Sequence, residues 1–169
     1  VQLPRDLSFV ETESLDVWDD ANDQIKNDRV VCSADSLPEP AQLPITAPRP
    51  PNRQAVGSAA QFFAVPSIPN VMSGWLTGGL VLPPEAIKDA EGVGECAQVF
   101  FVVDCQEGAL EVDYADPKED TWRDELAQRT LLSKGDSFFI PPGNIYRLEN
   151  HSKAQEASLC WTIIKPMED

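Results

Sequence analysis

The stretch that decides the fold is Lys134-Gly-Asp-Ser-Phe-Phe-Ile-Pro-Pro-Gly-Asn-Ile-Tyr-Arg-Leu-Glu-Asn150. Gly135 begins a turn signal ahead of a short apolar run. Residues 141–144 then break that run, because proline fixes φ at about −65° and Gly or Asn accepts the positive φ of a tight turn. Residues 145–149 follow as an alternating strand. The stretch therefore predicts a turn, a strand, a second turn and a second strand.

The chain from Gln61 onward continues this β pattern. Short apolar runs separated by Gly, Pro, Asn and Asp follow one another, and the helical signal is thin. Several strands at this spacing favour a sandwich or a closed barrel over an α/β fold. We therefore expect an all-β domain over residues 61–166. Residues 1–60, acidic and then rich in proline, are expected to form an irregular leader that packs on the barrel.

The spacing within the opening stretch resembles the second motif of the cupin superfamily, whose members are small jelly-roll barrels. The motif positions are occupied by Gly135, Pro141, Gly143, Tyr146 and Asn150. One position departs from the family pattern, because Tyr146 stands where a metal-binding cupin has a histidine ligand. The resemblance implies a cupin jelly-roll barrel with an altered reaction centre.

The first cupin motif supplies two histidines and a glutamate, and this chain has none of them in place. Counted back from Gly108, the glutamate position falls on Phe101, and the two histidine positions fall on Gly94 and Cys96, or on Glu95 and Ala97 with a gap one residue shorter. A non-haem metal site needs imidazoles and a carboxylate that converge on one point. The only histidine, His151, is expected to be a solvated loop residue. Cys96, Phe101 and Tyr146 are therefore degenerate ligand positions, and we expect no metal, no cofactor and no catalysis.

The same resemblance assigns side chains to the two faces of the barrel wall. The motif histidine points into the barrel, so Tyr146 and, by the count above, Phe101 are expected to point inward. The outward apolar positions expected to form a homodimer interface are Phe100, Val102, Phe139 and Trp161. An apolar outer face implies a cover, which is either a second subunit related by two-fold symmetry or the proline-rich segment.

A closer resemblance is to the C-terminal cupin of centromere protein C, the inner-kinetochore scaffold, over about residues 17–166. It rests on Gly74-Trp-Leu-Thr-Gly-Gly-Leu-Val-Leu-Pro-Pro84, Lys88, Gln98-Val-Phe-Phe-Val-Val103, the opening stretch, Val17-Trp-Asp19 and Arg29-Val-Val31. It implies a non-enzymatic domain that homodimerises and docks other centromere proteins at the kinetochore, in the nucleus. Nucleosome binding is expected from segments outside this sequence.

The charge of the chain limits the partners it can have. Thirteen Lys and Arg against 28 Asp and Glu give a formal net charge of −15 at pH 7. Nucleic-acid phosphates and anionic membranes attract basic patches, so we expect neither direct DNA binding nor membrane contact. The four cysteines lie in apolar runs without CxxC spacing, which indicates buried reduced thiols and suits the cytosol or nucleus.

Two other functions stay open on the sequence. One is a metal-free cupin that binds a small molecule in its barrel. The other is a monomeric module that binds a protein through its acidic leader. In that leader Trp18 is a solitary aromatic, which either packs back onto the barrel or anchors a partner. A measurement of molecular mass distinguishes the monomeric module from the dimer.

Overall fold

The fold comes from a computed structural model that describes residues 13–20, 22–37, 39–43 and 56–167. The described secondary structure consists of β-strands and two short 3-10 turns, so the all-β prediction is confirmed. Among these residues no helix is long and apolar enough to cross a membrane. The chain divides into two compact units, Val1–Leu37 and Pro38–Asp169.

The first unit contains a β-hairpin followed by a 3-10 turn at Ala34–Ser36. Strands β1 (Ser14–Asp19) and β2 (Gln24–Arg29) pair antiparallel. Trp18 on β1 lies directly opposite Ile25, and both side chains are exposed, Trp18 by 58 %. An isolated two-stranded hairpin is at best marginally stable in water.

The second unit consists of two antiparallel sheets. Its strands are β3 (Ala41–Gln42), β4 (Ser58–Val65), β5 (Trp75–Leu82), β6 (Ile87–Gly92), β7 (Ala97–Asp104), β8 (Leu110–Tyr114), β9 (Gln128–Leu132), β10 (Ser137–Ile140), β11 (Ile145–Asn150) and β12 (Ala157–Ile164). Six strands form one sheet in the order β10-β7-β12-β5-β4-β3, and four form the other in the order β6-β11-β8-β9. Leu80 and Phe100 from the first sheet share one hydrophobic core with Leu110 and Leu148 from the second. The two sheets therefore enclose a common core, as in a jelly roll.

The opening stretch folds as predicted. β10 and β11 are joined by a turn at residues 141–144, where Gly143 has a positive φ of 77°. Asn150 at the end of β11 is fully buried, and its side-chain amide donates hydrogen bonds to the backbone oxygens of Leu82 and Gln155, both at 3.0 Å. Because buried backbone carbonyls need donors, these bonds fasten the end of β11 to two other parts of the barrel.

The two faces of β7 are the reverse of those expected. Phe100 and Val102 are buried in the core, at 1 % and 0 % exposure, whereas Phe101 is 50 % exposed on the outside. The run at residues 98–103 is largely apolar on both faces, so alternation does not fix its orientation, and the count back from Gly108 is off by one. A shift of one residue exchanges the two faces of a strand. The outward placement of Phe100 and Val102 is therefore wrong, and so is the inward placement of Phe101.

The remaining candidate residues divide between the two sides of the wall. Trp161 was expected outside, and this is wrong: it pairs with Phe100 on the core side, and its Nε1 donates to the backbone oxygen of Gly79 at 3.0 Å. Phe139 is 58 % exposed on the outside. Tyr146 is fully buried and points inward, as the motif predicted.

Candidate functional site

The outer face of the six-stranded sheet presents apolar side chains to solvent. Phe101 lies beside Cys160 of β12, and Phe139 of β10 lies beside Val99. The outer apolar face consists of Val99, Phe101, Val103, Phe139, Cys160 and Ile164, all of them exposed. Single exposed apolar residues are ordinary, but a contiguous patch across three strands marks a site of interaction.

The centre of this face also lacks charge. On the described strands β10, β7, β12 and β5, the one charged outward position is Asp104 at the end of β7, although Asp, Glu, Lys and Arg make up 24 % of the chain. The neighbours of the apolar groups are small and neutral, such as Thr77, Gly79 and Ser137. A solvated sheet face usually alternates with polar and charged side chains. The centre of this face is therefore unusually apolar and neutral for an exposed sheet surface.

Inside the barrel, a cavity of about 140 Å³ lies beside Tyr146, the position of the motif histidine. Three polar groups meet in its lining. The Nζ of Lys88 lies 2.7 Å from Oε1 of Glu91 and 4.2 Å from the centre of the Tyr146 ring. The hydroxyl of Tyr146 donates to the same Glu91 Oε1 at 3.1 Å. Lys88 is only 5 % exposed, and this burial lowers the pKa of its ammonium group although Glu91 opposes the effect.

A β-bulge places Lys88 and Glu91 on the same face. Residues three apart on a regular strand point to opposite sides. In β6, however, Lys88 pairs with Leu148 and Glu91 pairs with Tyr146, so three steps along β6 match two steps along β11. The extra residue in β6 brings both charged side chains inward.

The groups in the cavity suit hydrogen bonding and charge recognition rather than metal binding. A metal needs lone pairs from imidazole, thiolate or several carboxylates. Here Glu91 is the one carboxylate that lines the described cavity, and a lysine cation already neutralises it. Burial, together with Glu91, raises the pKa of the Tyr146 phenol, so that group remains a hydrogen-bond donor.

Sequence reasoning found Tyr146 and missed the other polar groups of the cavity, Lys88, Glu91 and Gln98. Cys96, a predicted ligand position, is instead half-buried in the turn between β6 and β7, where its N–H donates to Val93. The sequence gives no signal that Lys88 is buried, because it stands between the acidic residues Glu85 and Asp89, as a solvated strand residue would. No residue pattern in the sequence predicts the bulge that turns the side chain of Glu91 toward the cavity.

The outer surface of the four-stranded sheet carries a cluster of charged groups. Oε2 of Glu111 lies 2.8 Å from His151 Nε2, and its Oε1 lies 3.4 Å from Arg129. Glu111, Glu149 and His151 bring ligand atoms within 4.8 Å of one another, but Arg147 also reaches Glu149 at 3.6 Å. Because guanidinium groups balance these carboxylates, the cluster is an ion-pair network rather than a metal centre. His151 is exposed in the loop after β11, as expected, and it also belongs to this network.

Asp113 is the member of this network whose carboxylate is only partly hydrogen-bonded. Its Oδ2 accepts from Arg147 at 2.8 Å, whereas its buried Oδ1 has no hydrogen-bond partner. The adjacent Glu111 carboxylate can only accept hydrogen bonds when it is ionised. It can bond to Asp113 only if one of the two carboxylates holds a proton. Burial and the proximity of Glu111 raise the pKa of Asp113 to about 6, although Arg147 opposes the shift. Asp113 therefore takes up a proton in the folded protein more readily than in the unfolded chain.

Asp113→Asn is expected to change how stability depends on pH. The folded pKa of Asp113 lies above its ordinary value, so its ionisation destabilises the fold as pH rises through about 6. Asparagine does not ionise, so the variant avoids this loss. The unfolding free energy of the variant minus that of wild type should therefore increase by about 1 kcal/mol from pH 5 to pH 7.5. Urea unfolding at the two pH values measures this gain. The exposed Asp120→Asn is the control, and an equal gain in both variants would contradict the assignment.

The comparisons with known proteins bear on the fold. No family model matches the sequence, and no curated protein matches it. The structure is similar to the Cnp3 cupin domain of Schizosaccharomyces pombe, at 16 % identity and a TM-score of 0.60, covering 90 % of this chain and 86 % of that one. It is also similar to a predicted oxalate decarboxylase of Thermotoga maritima, at 13 % identity and a TM-score of 0.52, covering 80 % of this chain and 99 % of that one.

A CENP-C domain of Drosophila melanogaster is a further match, at 15 % identity and a TM-score of 0.48, covering 79 % of this chain and 76 % of that one. At identities this low, the similarities to the Schizosaccharomyces pombe and Thermotoga maritima structures show a shared fold and no more. These two similarities agree with the two antiparallel sheets around one core and with the inward Tyr146 at the motif position. The second unit of the chain therefore has the cupin fold.

Proposed function

We propose that this chain is a homodimerisation and protein-docking domain of an inner-kinetochore scaffold similar to centromere protein C, and that it has no catalytic role. The observation that carries the proposal is the outer apolar face, an uncharged surface on a chain with a net charge of −15. The likeness of the fold to the Cnp3 cupin domain supports it, as does the sequence resemblance.

A second copy of the chain is the proposed cover of the outer apolar face. A two-fold axis lets one patch bury itself, so every residue contributes twice. A stable interface buries roughly 800 Å² on each partner. At about 25 cal/mol per Å² of apolar surface, burying Phe101 and Phe139 contributes a few kcal/mol on each copy.

The proline-rich segment is the competing cover, and its described part lies elsewhere. Ala41–Gln42 forms β3, which pairs with β4 at one edge of the six-stranded sheet. Phe101 and Phe139 lie on β7 and β10 at the opposite edge. Leu43 lines the cavity inside the barrel. These positions favour a second copy, rather than the described residues of the proline-rich segment, as the cover of the outer apolar face.

The oligomeric state tests the proposal. Light scattering at tens of micromolar should give twice the chain mass of 18.6 kDa. Cys160 lies exposed within the face, so it should react slowly with a maleimide in the dimer and faster on dilution. A monomeric mass, together with Cys160 labelling that does not depend on concentration, would end the proposal.

Docking to other centromere proteins is assigned to the acidic hairpin. Trp18 and Ile25 stand opposite each other on it with exposed side chains, and tryptophan is a frequent anchor of protein interfaces. Since the net charge opposes direct contact with DNA, attachment to the chromosome would go through proteins. A fluorescent fusion should then gather at centromeres in the nucleus, and a diffuse signal would argue against this location.

A further inference from the structure

The geometry points to a binding site for a small organic monocarboxylate in the cavity beside Tyr146, where the ligand carboxylate takes the place of Glu91 on Lys88. The site is formed within one copy of the second unit, so it does not depend on the dimer. Nothing in the proposed kinetochore role requires it.

Two hydrogen-bond donors define where the carboxylate would sit. Lys88 Nζ and the Tyr146 hydroxyl both point at a single oxygen atom, Oε1 of Glu91, at 2.7 and 3.1 Å. An ammonium and a phenol that converge on one point form a receptor for a carboxylate oxygen. In this structure the receptor is filled by a side chain of the protein itself.

The two partners of the ion pair differ in their exposure, and this makes Glu91 replaceable. Lys88 is 5 % exposed, whereas the side chain of Glu91 is 52 % exposed. Glu91 can turn into solvent and keep its carboxylate hydrated, but Lys88 is held by the barrel and would be left as an unpaired buried charge. A ligand that brings its own carboxylate keeps the interior neutral during this exchange.

The rest of the cavity determines which apolar group the ligand can carry next to its carboxylate. Its walls next to the polar end are the apolar side chains of Leu80, Phe100, Trp161 and Ile163. A cavity of roughly 150 Å³ accommodates a benzene ring, and this one measures about 140 Å³. The ligand class is therefore a small carboxylic acid with a compact apolar group, for which benzoate is a suitable probe.

The test compares benzoate with benzamide, its uncharged analogue of the same shape, at constant ionic strength. Ligand-observed NMR and the shift of the Trp161 indole N–H signal report binding to the full chain. Benzoate should bind at least about tenfold more tightly than benzamide, because only benzoate pairs with Lys88. Equal binding of the two probes, or no benzoate binding at tens of millimolar, would overturn the proposal.

Two variants with opposite expected effects make the test specific. Lys88→Met should abolish the preference for benzoate, whereas Lys134→Met, at an exposed lysine, should retain it. Glu91→Gln removes the internal competitor and should tighten benzoate binding by about fivefold or more. A gain in affinity is not explained by damage to the fold, so Glu91→Gln decides the matter if Lys88→Met does not fold. Unchanged or weaker benzoate binding in a folded Glu91→Gln variant would refute the exchange.

Discussion

Phe101→Glu is expected to convert the proposed dimer into a folded monomer. Phe101 lies on the outer apolar face next to Cys160, with no outward cation on the neighbouring described strands to pair with a new carboxylate. Burying an unpaired charge on each copy costs several kcal/mol, which raises the dissociation constant by at least about a hundredfold. The side chain is half exposed in the single chain, so the barrel itself should remain folded. Light scattering measures the mass, and circular dichroism confirms the fold.

Leu131→Glu is the matched control for Phe101→Glu. Leu131 is a large apolar residue on β9 with 57 % exposure, but it lies on the outer surface of the four-stranded sheet. This variant introduces the same charge at similar exposure and should stay dimeric. If Leu131→Glu becomes monomeric and Phe101→Glu does not, the dimer uses the opposite sheet.

Val102→Glu, one residue further along the same strand, is expected to unfold the barrel. Val102 is fully buried, and its partner on β12 is Leu159, which is also in the core. An ionised carboxylate at this position has no counter-charge and no water, so the cost is comparable with the whole stability of a domain, about 5–15 kcal/mol. Loss of the dispersed NMR spectrum would show the unfolding.

Val102→Ala separates the effect of charge from that of lost volume. Removing the two methyl groups should lower the unfolding free energy by about 2 kcal/mol and leave a folded dimer. A Val102→Glu variant that is a well-folded monomer would show that Val102 faces outward, which contradicts the inward orientation of Val102 on β7.

The parts of the fold that could be predicted are those with local signals. Prolines and glycines at residues 141–144 fix the turn between β10 and β11, because few residues adopt the required φ. The motif spacing placed Tyr146 inside the barrel, and its burial confirms this. Short apolar runs between turn residues gave the all-β class. In each case the physical cause lies within a few residues of its effect.

The parts that could not be predicted depend on contacts between distant segments. β7 is apolar on both faces, so only its pairing with β10 and β12 determines that Phe100 points inward and Phe101 outward. Lys88 and Glu91 share a face because of a bulge against β11, whereas their spacing alone predicts opposite faces. His151 meets Glu111 across 40 residues of sequence.

The absence of charge on the outer apolar face determines how association should respond to ionic strength. Each copy approaches the other as a body of net charge −15, and of that charge only Asp104, at the end of β7, lies on an outward position of the described strands that form the face. Long-range repulsion then slows the encounter, while short-range apolar burial holds the complex once it forms. Complexes steered by opposite charges weaken as salt is added, because salt screens their attraction. Here salt screens the repulsion instead, so added salt should accelerate dimer formation and strengthen the dimer.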